Sequence, residues 1–221
     1  MDSTASLSEV KSEIELVYRL YRGLARDLDV DVGLGGKLVW AGELDAEGCR
    51  LVRAANISGA ASLSATADAA AQRLAIRDGV IDFLVTSLSE ALRILKNEIR
   101  KRNAVAVGVA GAPEFIQAEM MERGVAPDVL RPPALQDAVE LFLRQGACVV
   151  APAPLQDGRE FFVFPNAPTD FDARALAMTP EADYAMRRWI RLSPRYLGPQ
   201  ARRVRSLACD GETAEKLKAE S

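Results

Sequence analysis

Apolar residues recur at steps of three and four near the start of the chain, a spacing that predicts an amphipathic helix. This stripe consists of Leu7, Val10, Ile14, Val17, Tyr21, Leu24 and Leu28. Ser6, with Glu9 three residues later, fits a capping box, so we expect the helix to begin directly after Ser6. Three glycines between Asp29 and Gly36 then break the pattern and predict a flexible connector.

From residue 37 to residue 144, short apolar runs alternate with amphipathic stretches. The runs predicted as strands are 37–41, 61–66, 81–86, 104–110 and 128–130, and the stretches predicted as helices are 46–57, 67–77, 88–102, 113–123 and 135–144. The run at 104–110, AVAVGVA, has no charge and is typical of a parallel strand buried on both faces. The alternation predicts an α/β fold, a Rossmann-like parallel sheet of about five strands flanked by helices.

A faint internal repeat supports the βα units. Each copy is one predicted strand followed by a helix: Gly79-Val80, Asp82, Leu84, Leu88, Glu90 and Ala91 are echoed by Gly124-Val125, Asp128, Leu130, Leu135, Asp137 and Ala138.

The pattern changes after residue 146 and predicts a β-hairpin with a helical extension. Runs at 147–151 and 160–164 flank Asp157-Gly158, a turn signal, so we expect a hairpin at the sheet edge. Thr179 as N-cap and Pro180 predict a helix start, with Trp189 on the apolar face. A second short helix is predicted as far as Leu207, followed by a frayed tail over 210–221.

These elements suggest four segments. They are an N-terminal helix and connector (1–36), a Rossmann-like domain (37–145), a hairpin and loop (146–178), and a basic helical segment with its tail (179–221).

Composition removes several classes of function. The chain has 221 residues, 49% apolar and 27% charged, which is an ordinary globular balance. It has no His, which excludes Ser-His-Asp and Cys-His catalysis and the usual zinc ligand sets, so no metal site is predicted. We expect no membrane span and no secretory signal, because no long apolar run occurs. Cys49, Cys148 and Cys209 are odd in number and widely spaced, so we expect reduced thiols in the cytoplasm.

Positive charge is concentrated near the C-terminus, although the net charge is −3. Seven Arg and no acidic residue lie between Tyr184 and Cys209. The candidate anion-binding residues are Arg187, Arg188, Arg191 and Arg195. Aromatic residues lie among them, as on some nucleic-acid surfaces. The preferred interpretation is a helix docked by Trp189, its arginines paired with the acidic body or a second subunit. A nucleic-acid partner is not expected.

A ligand cleft is predicted at the carboxyl ends of the strands, where the strand order reverses. We assign it to the loops after the first and fourth predicted strands, and the candidate residues are Gly42, Glu43, Gly48, Gly111 and Ala112. The first loop also contains Asp45 and Glu47. Three carboxylates would repel a pyrophosphate, whereas they can cap the following helix. The alternative for the second loop is an ordinary turn between a strand and a helix, without a ligand.

Three stretches of the sequence resemble the NAD-binding core of urocanase (urocanate hydratase), an enzyme of bacterial histidine degradation. They are GKLVWAG (36–42), GAASLSATADAAAQRLAIRDGVIDFLVTSLSEAL (59–92) and AVAVGVAGAPEFIQAEMMERGVAPDVL (104–130), and the likeness extends over 14–131. The resemblance implies a Rossmann-like domain, a cytosolic setting, a homodimer, and tightly held NAD that acts as an electrophile during hydration of urocanate.

The departures from the urocanase pattern lie in the parts that carry this chemistry. The loop GELDAEGCRL (42–51) retains Gly42 and Gly48 of the family's five glycines. Arg131 is followed by PPALQDAVE, where the family has a TDQTS-type segment. No cofactor is therefore expected, although NAD is possible if the ancestral site survives.

Three functions follow from these observations. The first is a urocanase-like protein that has lost hydratase activity and serves as a module for binding a small molecule or a protein, self-associating as a homodimer. The second is a divergent lyase, or an enzyme that binds NAD or another nucleotide, with Glu43, Asp45 or Glu47 as acid or base. The third is binding of an acidic ligand or nucleic acid through the Arg cluster. We favour the first.

Overall fold

The core of the protein is a six-stranded, all-parallel sheet. The computed structural model describes residues 6–27, 29–131, 136–156, 158–199 and 204–219. In chain order the strands are β1 (Leu38–Glu43), β2 (Ala61–Thr66), β3 (Phe83–Val85), β4 (Val105–Ala110), β5 (Val129–Leu130) and β6 (Cys148–Val149). They are arranged in the order β3-β4-β2-β1-β5-β6. The predicted Rossmann-like parallel sheet is confirmed, with six strands where about five were expected.

Helices cover both faces of this sheet. They are α1 (Leu7–Leu24), α2 (Ala46–Ser58), α3 (Ala69–Arg77), α4 (Leu88–Arg100), α5 (Pro113–Glu122) and α6 (Gln136–Arg144). Ser6 and Glu9 form the predicted capping box. One face packs Val39 and Ala41 against α1 and α2, and the other packs Trp40 and Leu63 against α4 and α5. In β4, five of six residues are buried, as the charge-free run predicted.

The strand order places a crevice between β1 and β5. The chain leaves β1 through α2 toward β2 on one side, and it leaves β5 through α6 toward β6 on the other side. Because the two connections diverge, the carboxyl ends of β1 and β5 border an open crevice, where ligands bind in such sheets. The loop after β4 lies on the far side of β2 from β1.

The C-terminal part differs from the prediction in its pairing. β7 (Glu160–Pro165) pairs antiparallel with β8 (Val204–Cys209), and α7 (Phe171–Met178) and α8 (Tyr184–Tyr196) lie between them in the chain. The predicted pairing of 147–151 with 160–164 is therefore wrong, because Cys148 pairs in parallel with Val129. Of the predicted turn, Asp157 lies outside the described residues.

Two further expectations for the C-terminus are wrong. The short helix predicted as far as Leu207 gives way to strand β8, which completes a ladder with β7. The predicted frayed tail contains helix α9 (Gly211–Ala219), because Ala214 and Leu217 pack into the core with no exposed surface.

Helix α8 is docked on the body by Trp189, as predicted. The indole is fully buried, and its Nε1 donates a hydrogen bond of 2.8 Å to the Ser206 carbonyl. Its ring meets Tyr18 edge to face, with centroids 4.9 Å apart. The helix begins at Tyr184, later than predicted, because Asp183 rather than Thr179 caps it through the Met186 amide.

No helix within the described ranges is both long and apolar enough to cross a membrane.

Candidate functional site

The crevice between β1 and β5 is bordered by the turn into α2. Strand β1 shifts register between Trp40 and Gly42, and Gly42 has a positive φ of 70°. Asp45 then caps α2 by accepting a hydrogen bond of 2.8 Å from the Gly48 amide. The helix-capping interpretation is therefore confirmed for Asp45.

Arg131, the residue after β5, holds this turn in place. Its Nη1 and Nη2 donate to the two carboxylate oxygens of Asp45 at 2.7 and 2.8 Å. Nη2 also reaches Glu47 at 3.1 Å, and Nη1 reaches the Glu43 carbonyl at 3.1 Å. We call Asp45, Glu47 and Arg131 the ion-pair cluster. It ties the carboxyl ends of β1 and β5 together across the crevice.

The members of the ion-pair cluster differ in exposure. The Arg131 side chain is 15% exposed, whereas that of Glu47 is 69% exposed. A bidentate pair with a shielded guanidinium is stronger than a single contact from an exposed carboxylate. Asp45 is thus the principal partner of Arg131, and Glu47 is the one that a ligand can replace.

The electrostatics of the cluster keep both groups charged. Partial burial opposes ionisation of Asp45, but hydrogen bonds from Arg131 and the Gly48 amide outweigh it and lower the pKa of that carboxyl. Burial likewise opposes the charge on Arg131, but Asp45 outweighs it and raises the pKa of the guanidinium. A carboxyl with a lowered pKa is a poor general acid at neutral pH.

Gly48 is explained by packing within the turn. A Cβ at this position would collide with the Glu43 carbonyl oxygen, so the close approach of α2 to the end of β1 requires glycine. The Gly48 amide donates to Asp45. Gly48 was predicted as a ligand contact, and the structure gives it a role in the packing of the turn.

A small cavity lies beside the ion-pair cluster. Its volume is about 220 Å³, and it lies between α1, α2 and the segment after β6. The apolar wall is formed by Leu16, Leu20, Leu51, Val150 and Pro152. Glu47, Arg50 and Arg131 form the polar side. We call this space the crevice cavity.

The second predicted loop does not border the crevice cavity. Gly111 and Ala112 follow β4, and the Gly111 amide donates to the Thr66 carbonyl of β2 at 3.1 Å. Ala112 is the N-cap of α5 and makes no side-chain capping bond. The structure thus brings Gly42, Glu43 and Gly48 together, and it places Gly111 and Ala112 elsewhere along the sheet.

The four candidate arginines of α8 are not equivalent. Arg187 donates to the carbonyls of Leu176 and Thr179 at 2.8 and 2.9 Å, and Arg188 donates to that of Ile57 at 2.8 Å. Burial lowers the pKa of Arg188. These two side chains therefore help to dock the helix.

The remaining two arginines, Arg191 and Arg195, differ in their surroundings. Arg191 lines a groove of about 490 Å³ with Arg187 and Arg188, which also contains Asp31 and Glu181. Arg195 is exposed and lies over the Tyr196 ring, 5.1 Å from its centroid. Guanidinium groups mixed with carboxylates do not form the uniformly basic face that nucleic acid binds.

Burial makes two of the cysteines poor nucleophiles. It raises the pKa of Cys49, and it raises that of Cys209 to about 11. The thiolate is the reactive form, so these thiols are largely unreactive at neutral pH.

Sequence reasoning missed Arg131 and Arg50 as site residues. Arg131 lies 86 residues from Asp45, and nothing local to either residue indicates the pair. The sequence did show that Arg131 directly follows a predicted strand. Because the carboxyl ends of parallel strands lie at one edge of the sheet, this position could have indicated that Arg131 lies near the loop after the first strand.

The strand order and the crevice between β1 and β5 define an α/β protein of the Rossmann-like class. Residues 24–133 match the family model described as the urocanase Rossmann-like domain, and they include β1 to β5 and both candidate loops. This part of the chain, about half of its length, therefore belongs to the urocanase family. The homodimer and cytosolic setting implied by the resemblance stay predictions.

The turn after β1 is a poor match to a dinucleotide phosphate site. Such a site needs free amides at a helix start and backbone that the anion can approach. Here the Gly48 amide already donates to Asp45, and the Arg131 guanidinium is held by Asp45 and Glu47.

Proposed function

We propose that this protein lacks urocanate hydratase activity and acts as a small-ligand-binding module. The observation that carries the proposal is the ion-pair cluster, which occupies the place where a Rossmann-like domain receives a cofactor phosphate. The Asp45 carboxylate accepts hydrogen bonds from the Gly48 amide and from the Arg131 guanidinium. It therefore occupies the two donors that a bound phosphate would need.

The same cluster argues against NAD as a resident cofactor. A pyrophosphate entering the turn would have to displace Asp45 from Gly48 and Arg131, breaking three hydrogen bonds of 2.7 to 2.8 Å. Charge-assisted bonds of this kind contribute roughly 1.5–3 kcal/mol each. The exposed carboxylate of Glu47 would add repulsion.

The crevice cavity indicates what kind of ligand the module accepts. About 220 Å³ is small, and most of the wall is aliphatic, so the cavity suits a compact, mainly apolar body. Arg131 has one weak partner, Glu47, which a polar group on the ligand can replace.

Mass spectrometry of small molecules released from the purified, denatured protein tests this function. We expect a compound smaller than a dinucleotide from the wild type. Leu16→Trp, which fills the crevice cavity from a side chain 41% exposed, should abolish its recovery. Leu7→Trp adds the same bulk on α1 at a position 50% exposed outside the cavity, and it should leave recovery unchanged.

Recovery of NAD in stoichiometric amount would overturn the proposal. So would equal recovery of the ligand from the Leu16→Trp and wild-type proteins.

A further inference from the structure

The guanidinium of Arg53 on α2 has no partner in the part of the chain that the structure describes. Among the described residues no hydrogen-bond acceptor and no carboxylate pairs with it, and its Nε is buried without a hydrogen bond. Buried polar atoms are satisfied in the great majority of cases, so the unsatisfied Nε of Arg53 needs an explanation.

The side chain lines a groove separate from the crevice cavity. This groove has a volume of about 560 Å³ and lies between α1, α2, the end of α3 and the segment after α8. Its apolar wall consists of Val10, Ile14, Leu197 and Pro199. We call it the Arg53 groove. Its size falls within the range of small-molecule sites.

The acidic residues of the Arg53 groove are already neutralised. Glu13 accepts hydrogen bonds from Arg50 at 2.7 to 3.0 Å, and Asp78 accepts one from Arg77 at 3.0 Å. Each acid thus has its own cation. The charge on Arg53 is left uncompensated within the described part of the groove.

The chain passes close to the Arg53 guanidinium at Gly198. Gly198 has a φ of +90°, and a Cβ there would lie 3.0 Å from Arg53 Nη2. A side chain at this position would therefore crowd the guanidinium, so glycine is needed for this close approach and for the positive φ.

We propose that the Arg53 groove binds a small molecule with an apolar body and one oxyanion group, a carboxylate or a phosphate. The oxyanion accepts hydrogen bonds from the Arg53 guanidinium, and the apolar body lies against Val10, Ile14 and Leu197. This site is independent of the proposed function, which concerns the crevice cavity, because the two spaces share no lining residue.

Titrations followed by ¹H–¹⁵N NMR test the proposal with three probes: hexanoate, hexan-1-ol and inorganic phosphate. Hexanol has the apolar body without the charge, and phosphate has the charge without the body. We expect hexanoate to shift the Arg53 Nε–H resonance, which is assigned by its loss in Arg53→Lys. Hexanol and phosphate should each bind at least about tenfold more weakly.

Variants separate this site from others on the protein. Arg53→Gln should weaken hexanoate binding at least about tenfold, whereas Arg195→Gln, the same change at an exposed arginine, should not. Val10→Trp blocks the groove while retaining Arg53, so it should also abolish hexanoate binding. This variant keeps the proposal testable if Arg53→Gln fails to fold.

Equal hexanoate affinity in wild type and Val10→Trp would overturn the proposal, as would no binding of hexanoate at millimolar concentration. Binding that survives Arg53→Gln but is lost in Arg131→Gln would place the carboxylate in the crevice cavity. That result would overturn the present proposal and leave the proposed function intact.

Discussion

Arg131 forms a bidentate ion pair with Asp45, with N–O distances of 2.7 and 2.8 Å, although the two residues are 86 positions apart in the chain. The pair joins the ends of β1 and β5, the two strands that border the crevice. It stabilises the fold at the place where a Rossmann-like domain usually leaves its backbone open to a ligand.

Arg131→Gln should lower the free energy of unfolding by about 1–2 kcal/mol, because it leaves Asp45 without its cation while the capping bond persists. Urea denaturation measures the change. Lys216→Gln is the control, since Lys216 pairs with Glu212 one turn away on the exposed side of α9, and it should cost no more than about 0.5 kcal/mol. Equal losses in the two variants would contradict a special role for Arg131.

The stabilising effect of Asp45 should depend on pH. Its pKa is lowered in the folded protein from an ordinary value of 3.8, so its contribution is complete above that pH and is lost as the pH falls through the folded value. Asp45→Asn keeps a residue that caps well but removes the charge. We expect this variant to be less stable than wild type at pH 7 and the difference to shrink below about pH 4, in urea midpoints measured from pH 7 to pH 2.5. A constant difference over this range would refute the prediction.

The internal repeat has a structural basis in Asp82 and Asp128. Asp82 accepts from the Ala106 amide at 2.8 Å and donates its own amide to the Ala106 carbonyl at 2.8 Å. Asp128 makes the same two contacts with Leu38, also at 2.8 Å. Each aspartate thus extends the sheet at the start of a neighbouring strand.

Asp82→Ala and Asp128→Ala should each destabilise the protein by about 1–2 kcal/mol, because each leaves a strand amide without its acceptor. Four strand spacings of about 4.8 Å separate β3 from β5, so the two losses should add to within about 0.5 kcal/mol. Chemical denaturation of the double variant checks this, with the Asp→Asn variants as controls that retain an acceptor oxygen. Strong non-additivity would show that the two copies are coupled.

The sequence predicted most reliably the elements that local pattern determines. Each of these elements is indicated by residues close together in the chain. Examples are the capping box of α1, the buried run of β4 and the two Gly-Val repeats. It failed where a partner is distant. β7 pairs with β8, about 40 residues later, and the Asp-Gly signal pointed instead to its nearer neighbour. Helix α9 was missed because Ala214 and Leu217 alone do not make an apolar stripe.

Trp189→Ala should cost roughly 3–5 kcal/mol, since the indole is fully buried among Tyr18, Tyr21 and Phe161 and donates to the Ser206 carbonyl. Thermal and urea unfolding measure the loss. Trp189→Phe retains an aromatic ring and should lose less. A truncation after residue 178 that was as stable as the full chain would contradict the role assigned to α8 and β8.

The protein should not hydrate urocanate and should bind NAD weakly or not at all. In the turn after β1, the Gly48 amide and the Arg131 guanidinium are both engaged by Asp45, and Glu47 adds a further carboxylate. One like-charge contact at about 4 Å costs on the order of 4 kcal/mol at an effective dielectric near 20, or about a thousandfold in affinity. Arg131 offsets part of that repulsion, so the occupied amide is the firmer obstacle.

Calorimetric titration with NAD measures binding, and the decay of urocanate absorbance measures turnover. Asp45→Gly releases both the Gly48 amide and Arg131 at little cost to the helix start, so it should bind NAD more tightly than wild type does. Micromolar affinity in the wild-type protein, or turnover above the protein-free rate, would overturn the non-catalytic function and favour a lyase.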